Sequence, residues 1–119
     1  DSVTSYVVDK RSNFIMGLAN GYIVEFDVDK KDIKYVEKFF EPITILNLTS
    51  DDKYLIAISK TNKILIIDRA TKAMGMGAYD EKIFGVRISS DYTKIFVHFE
   101  DRIEVLDFAD KKVIETLNF

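Results

Sequence analysis

The sequence predicts an all-β protein made of three four-stranded antiparallel units, and two observations carry that expectation. The chain repeats itself about every forty residues, and each repeat holds four short apolar runs parted by turn-forming residues. The composition agrees: the 119 residues include 15 Ile, 10 Val, 9 Phe and 6 Tyr, side chains that suit a pleated, half-buried surface.

The repeat is read without gaps. Ile43-Thr44-Ile45-Leu46-Asn47-Leu48-Thr49-Ser50-Asp51 stands forty positions before Ile83-Phe84-Gly85-Val86-Arg87-Ile88-Ser89-Ser90-Asp91, and Leu55-Ile56 likewise matches Ile95-Phe96. A second anchor is an Asp that closes an apolar run, in Glu25-Phe26-Asp27, Ile66-Ile67-Asp68 and Val105-Leu106-Asp107. The copies span 5–42, 43–82 and 83–119 of one domain or domain fragment. The first is the most divergent, with Lys10-Arg11 where the others carry Ser-Asp.

In copy one, Asn20-Gly21 is the strongest hairpin signal and suits a type I′ turn, which needs positive φ at both central residues. The run Ile33 to Phe39 then alternates apolar and polar residues, as a half-buried outer strand does. Copy two offers strands at Ile43–Leu48, Tyr54–Ser59 and Lys63–Asp68, with a weak, irregular one near Lys72–Met76. Copy three offers Ile83–Ile88, Lys94–Phe99, Arg102–Phe108 and Lys112–Leu117. Inner runs such as Ile64-Leu65-Ile66-Ile67 are apolar at every position, which marks strands covered on both faces. Arg69 to Lys82 is broken by Gly75 and Gly77 and has no helical period.

Four-stranded units with both faces of their inner strands covered, repeated every forty residues, are what radially stacked propeller blades require. A β-sandwich is the alternative architecture. Ile45 to Asp68 resembles a WD-repeat blade, with its apolar first strand, Ser-Asp-Asp-Lys turn, second strand ending in Ser59 and third strand ending in Asp68. The third copy is similar, and Gly77-Ala78 stands near the place of the family's Gly-His. No copy has the family's Trp before the closing Asp, where Phe26, Ile67 and Leu106 stand, so its buried network of Trp, Ser or Thr, His and Asp is incomplete.

The resemblance implies a non-enzymatic scaffold with protein partners, docked on the rim where the second-to-third and fourth-to-first loops emerge. Those loops are Asn20-Gly21, Phe40-Glu41-Pro42, Lys60–Asn62, Ala78–Lys82 and Glu100-Asp101. Aromatic and arginine side chains dominate interface energies, which singles out Phe40, Tyr79 and Arg87. A closed ring takes about 4–8 blades, so further blades of the same polypeptide, or other copies of the chain, are expected to cover two apolar end faces. The alternatives are a part of a propeller enzyme or small-ligand binder, or a self-assembling architectural unit.

Several function classes are disfavoured by the residue counts. There is no Cys and one His, which removes disulfides, thiolate metal sites and multi-histidine sites. No apolar run approaches the ~18 residues of a spanning helix, and 17 basic against 20 acidic residues offer no basic field for nucleic acid. The chain opens on Asp1-Ser2-Val3, which suggests excision or processing, and the compartment expected is the cytoplasm.

No catalytic, cofactor or metal set is expected either. The acidic pairs Asp51-Asp52, Asp80-Glu81 and Glu100-Asp101 fall at turns, where acids bond the local backbone. Asp27-Val28-Asp29-Lys30-Lys31-Asp32 starts like a calcium loop, but Lys31 and Asp32 occupy its fifth and sixth positions, so it reads as a charged turn. Met74-Gly75-Met76-Gly77 lacks the partners of a phosphate cradle; its methionines suit adaptable apolar contact. His98 reads as a structural imidazole in a strand, and the sequon Asn47-Leu48-Thr49 lies inside one.

Overall fold

A computed structural model describes residues 2–119, the side chain of Tyr35 excepted, and every regular element in them is a strand. Blade one comprises β1 (Val3–Val8), β2 (Phe14–Leu18), β3 (Tyr22–Asp27) and β4 (Asp32–Lys38). Blade two comprises β5 (Ile43–Leu48), β6 (Tyr54–Ser59), β7 (Lys63–Asp68) and β8 (Met74–Ala78), and blade three β9 (Gly85–Ile88), β10 (Lys94–His98), β11 (Arg102–Asp107) and β12 (Val113–Asn118). Each blade is an antiparallel meander in chain order. The chain divides into two compact units, Asp1–Ala78 and Tyr79–Phe119.

The hairpins follow from the repeated polar residues. At the third-to-fourth turn of every blade the closing Asp accepts backbone N–H groups two and three residues on: Asp27 from Asp29 and Lys30, Asp68 from Ala70 and Thr71, Asp107 from Ala109 and Asp110. A lysine then takes positive φ in each, at Lys31, Lys72 and Lys111. The short side-chain acceptor offers the backbone a turn in place of ladder pairing, so the conserved spacing of this Asp within the chain has a local cause. The stretch read as a charged turn at 27–32 is one of these hairpins.

The first-to-second turns of blades two and three are built alike, around Asp51 and Asp91, whereas in blade one Asp9 is the acceptor. In blade three, Asp91 accepts from the hydroxyls of Ser89 and Thr93 and from the Thr93 N–H. These bonds, the Ser89 hydroxyl foremost, hold its carboxyl down at about 2. A carboxyl depressed in the fold contributes stability above its unfolded pKa of about 3.9 and loses it as pH falls through about 2. Carboxyl titration by NMR is expected to place Asp91 near 2 and to move it up in Ser89→Ala; an unchanged midpoint in the variant contradicts the assignment.

The Asn20-Gly21 turn differs from the type I′ expectation. Only Gly21 has positive φ (89°), and the turn is closed by its N–H on the Leu18 carbonyl at 3.0 Å. Ala19 and Asn20 are the central residues, and the glycine serves as the left-handed residue that follows. A Cβ there would also lie 2.6 Å from the backbone nitrogens of Phe40 and Glu41, so the loop into blade two requires glycine for space as well as for φ. Two strands shift by two residues, the fourth of blade two, a regular strand at Met74–Ala78, and the first of blade three, which begins at Gly85, while β4 and β10 to β12 differ from expectation by one residue.

Within the first unit, blade two lays β5 across β1 and β2. Ile15, Ile23 and Ile43 are fully buried there, with Leu46, Leu55, Leu65 and Ile67 in the same cluster. The approach is closest at Gly17, where a Cβ would lie 2.6 Å from Ile43 Cβ. The Thr4 and Ser5 hydroxyls of β1 donate to the Ile43 carbonyl, so polar stitching and apolar burial share one seam. On the opposite face of blade one the registered positions Tyr6, Val8, Phe14 and Ile33 are exposed. β6 and β7 are buried along almost their whole length, as their unbroken apolar runs require.

In the second unit Val86, Ile95 and Val97 are buried and β12 is exposed throughout. Arg102 stacks on Phe99 at 4.2 Å and reaches Glu81, Asp101 and Glu104. It therefore ties the segment before β9 to the β10–β11 hairpin. His98 is exposed and packs at a tilt against Phe84, with ring centroids 5.7 Å apart.

Candidate docking groove

At the end of the first unit where the first-to-second and third-to-fourth turns cluster, a groove of about 660 Å³ opens between loops of blades one and two. Its floor is a part-buried ion-pair cluster, with Arg69 one-fifth exposed. Asp9, 7% exposed, follows β1 directly, and Glu25, 9% exposed, interrupts the apolar β3. Both receive the same nitrogen of Arg69, at 3.0 Å each, and a second Arg69 nitrogen donates to the Asp52 carbonyl at 3.1 Å. Arg69 follows Asp68, so the turn that Asp68 orders aims the guanidinium across the seam between blades. Its own N–H is held by the Lys53 carbonyl.

The electrostatics are closed at the floor. Burial pushes the Asp9 carboxyl up, but N–H groups of Asn13 and Arg11 and the Arg69 guanidinium outweigh it and hold the group below the usual carboxylate range. Burial likewise works against the Arg69 charge, and Asp9 and Glu25 more than offset it. Lys34 approaches Glu25 at 3.4 Å from the solvent side. Among the described residues, no buried side-chain polar atom lacks a partner. A satisfied cluster of this kind fixes one arrangement of the two blades.

The walls carry the surface chemistry. Lys10, Arg11, Lys53 and Lys72 line the groove together with Asp27, Asp51 and Asp52. The carboxylates are engaged by backbone: Asp27 and Asp51 cap their own turns, and Asp52 accepts the Lys10 N–H at 2.8 Å. The result is a rigid, mixed-charge concavity with long basic side chains at its lip.

The rim candidates lie elsewhere. Phe40 sits in the loop between blades one and two, 82% exposed with positive φ, the Lys38 ammonium 4.9 Å from its ring. Tyr79 packs edge-on against buried Phe99 at 5.3 Å, and Arg87 stands in β9 opposite Phe96. Within the second unit these two occupy different places. Beside Phe40, Glu41 accepts from the Ser59 and Thr61 hydroxyls and faces Lys63 at 3.8 Å, which holds its carboxyl low. Glu41 thus pins the β6–β7 hairpin to the inter-blade loop. Among the described residues no cluster of three or more His, Cys, Asp or Glu has the geometry of a metal site, and no helix is long and apolar enough to cross a membrane.

Three consecutive four-stranded antiparallel meanders of this size are β-propeller blades. A solved structure similar to the chain is the crystal structure of the Myceliophteria thermophila Cps50 (Swd1) β-propeller domain, with a TM-score of 0.79 at 14% identity over 97% of this chain and 40% of that one. The chain thus spans about two fifths of that chain's length, and the likeness is one of fold. No family model matches the sequence, and no curated protein does.

Proposed function

We propose that the chain is a non-enzymatic protein-docking segment of a degenerate WD-repeat-like propeller, and that the groove over Arg69 is its principal contact surface. The observation that carries this reading is the combination of a fixed floor with an open, charged lip. Buried pairing spends Asp9, Glu25 and Arg69 on holding two blades together, which leaves the outer side chains preorganised on rigid turns. A preorganised surface saves the ordering entropy that association otherwise costs, and turns held by stacked sheets are suited to the role. Phe40, Tyr79 and Arg87 form a second set of contact candidates, Phe40 foremost because its ring is exposed. Further blades, from the same polypeptide or from other copies, would cover the apolar face that carries Tyr6, Val8, Phe14 and Ile33.

Quantitative co-purification from cells expressing the protein tests the reading. Lys10→Glu/Arg11→Glu should retain the wild-type circular dichroism and unfolding midpoint and lose at least tenfold of the proteins recovered with wild type. Phe40→Ala should lose a smaller share. Equal recovery by the folded groove variant and wild type would contradict the groove as the contact surface.

A further inference from the structure

We propose that Asn20 is a site of self-modification: its side-chain amide is lost through a cyclic imide formed with Gly21, and the β-linked product loosens the loop between blades one and two. Asn20 is the asparagine of this chain that precedes a glycine; Asn13, Asn47, Asn62 and Asn118 precede Phe14, Leu48, Lys63 and Phe119. Glycine has no Cβ to hinder a close approach to its nitrogen. Asn20 is also exposed to the water that the reaction consumes.

In the first step the Gly21 nitrogen attacks Cγ of Asn20. A new C–N bond closes a succinimide ring, the bond to Nδ2 breaks, and the Gly21 proton leaves through water with the departing ammonia. Water then adds to either carbonyl of the ring. Opening at the side-chain carbonyl leaves an ordinary aspartate at position 20. Opening at the main-chain carbonyl routes the backbone through the former side chain and leaves isoaspartate. Water is the only co-reactant.

Two contacts of the turn act on the first step in opposite senses. The Tyr22 N–H donates to Asn20 Oδ1 at 3.1 Å, which folds the side chain back over the peptide bond to Gly21. It also places a donor where negative charge develops as the carbonyl is attacked. The Gly21 N–H donates to the Leu18 carbonyl at 3.0 Å, so the nitrogen is released when this short hairpin frays. Nucleophile and electrophile thus share one exposed turn.

The β linkage adds a backbone carbon where the chain has no slack. The Gly21 carbonyl accepts the Phe39 N–H at 2.7 Å, and a Cβ on Gly21 would lie 2.6 Å from the backbone nitrogens of Phe40 and Glu41. Lengthening the path from β2 to this contact costs the Leu18 bond or the Phe39 bond. Glu41 stands next in the loop and takes the Ser59 and Thr61 hydroxyls of blade two, so the disturbance passes from one blade to the next. An ordinary aspartate keeps both the backbone length and the acceptor for the Tyr22 N–H.

Ageing the intact chain in mildly alkaline buffer, followed by site-resolved mass spectrometry, tests the site. Asn20 is expected to convert about tenfold faster or more than each other asparagine, because the residue after it has no Cβ. Asn20→Gln, whose longer side chain closes the ring poorly, is expected to lose that conversion and keep the wild-type circular dichroism spectrum. The isolated β-linked form is expected to unfold at lower urea than wild type, whereas Asn20→Asp, with the same added charge on a normal backbone, should keep the wild-type midpoint. Conversion at position 20 no faster than at the other asparagines would overturn the site. A β-linked form as stable as Asn20→Asp would overturn its effect on the loop.

Discussion

Arg69→Met is expected to lower the unfolding free energy at pH 7 by about 2 kcal/mol, between the loss from a fully buried ion pair and that from an exposed one. Methionine is apolar and matches the arginine stem as far as Nε, so the loss reflects the missing guanidinium, which leaves Asp9 without its cation and Glu25 with Lys34 alone. Asp9 is 7% exposed and Glu25 9%, so at the groove floor each is only partly hydrated once the guanidinium is gone. The pH dependence follows from the direction of the Asp9 shift. Its carboxyl is depressed in the fold, so its contribution is present above the unfolded value of about 3.9 and fades as pH falls through the lower folded one. Without Arg69 that carboxyl protonates more readily, and the gap between variant and wild type should narrow at low pH. Urea unfolding at pH 7 and pH 3 reads both effects; a loss under about 0.5 kcal/mol at pH 7 would show the cluster to be no more than a surface pair.

Gly17→Ala is expected to cost about 2–3 kcal/mol, the upper part of the range for overpacking a filled interior. The added Cβ would stand 2.6 Å from Ile43 Cβ, 2.7 Å from Ser5 Oγ and 2.8 Å from Ile43 Cγ2. Ser5 can rotate, at the expense of its bond to the Ile43 carbonyl. Ile43 has no such freedom, because its Cβ is fixed by the backbone and the residue is fully buried. Ile43→Ala therefore removes Cγ2 but leaves the shortest contact, and the double variant Gly17→Ala/Ile43→Ala should be less stable than either single one. Rescue by Ile43→Ala would mean that the blades can slide apart at this point.

The parts legible in the sequence are those with local causes. The closing Asp at 27, 68 and 107 orders its turn through N–H groups two and three residues on, so its spacing marked the strand ends and the blade period. The unbroken apolar run at 64–67 likewise announced a strand covered on both faces. Asn20-Gly21 marked the right turn but the wrong type, because close passage of the Phe40–Glu41 backbone, which local sequence does not contain, adds its own demand for glycine. The Arg69 cluster escaped notice for the same reason: read along the chain, Arg69 is one more polar residue in a turn. A signal was present when the copies are superposed. Asp9 stands where Thr49 and Ser89 stand, Glu25 where Ile66 and Val105 stand, and Arg69 where Val28 and Phe108 stand. Two acids confined to copy one and a cation confined to copy two are the pattern of a pair that crosses from one blade to the next.

Phe40 shows the other side of that limit. Its residue type marked it as an interface candidate, and its exposure of 82% leaves the ring available. Tyr79, chosen on the same ground, is partly occupied by Phe99, which only tertiary packing discloses.

The claim on which the rest depends is that blades one and two form a single body whose charged end is fixed before any partner arrives. A double-mutant cycle of Arg69→Met with Asp9→Asn, read by equilibrium unfolding at pH 7, measures the coupling across that seam. The expected coupling is at least about 1.5 kcal/mol, as for contacting members of one buried network. Losses that add to within about 0.5 kcal/mol would contradict it, because the two blades would then be joined by apolar burial and the Thr4, Ser5 and Lys10 hydrogen bonds without the ion-pair cluster, and the groove would have no fixed floor.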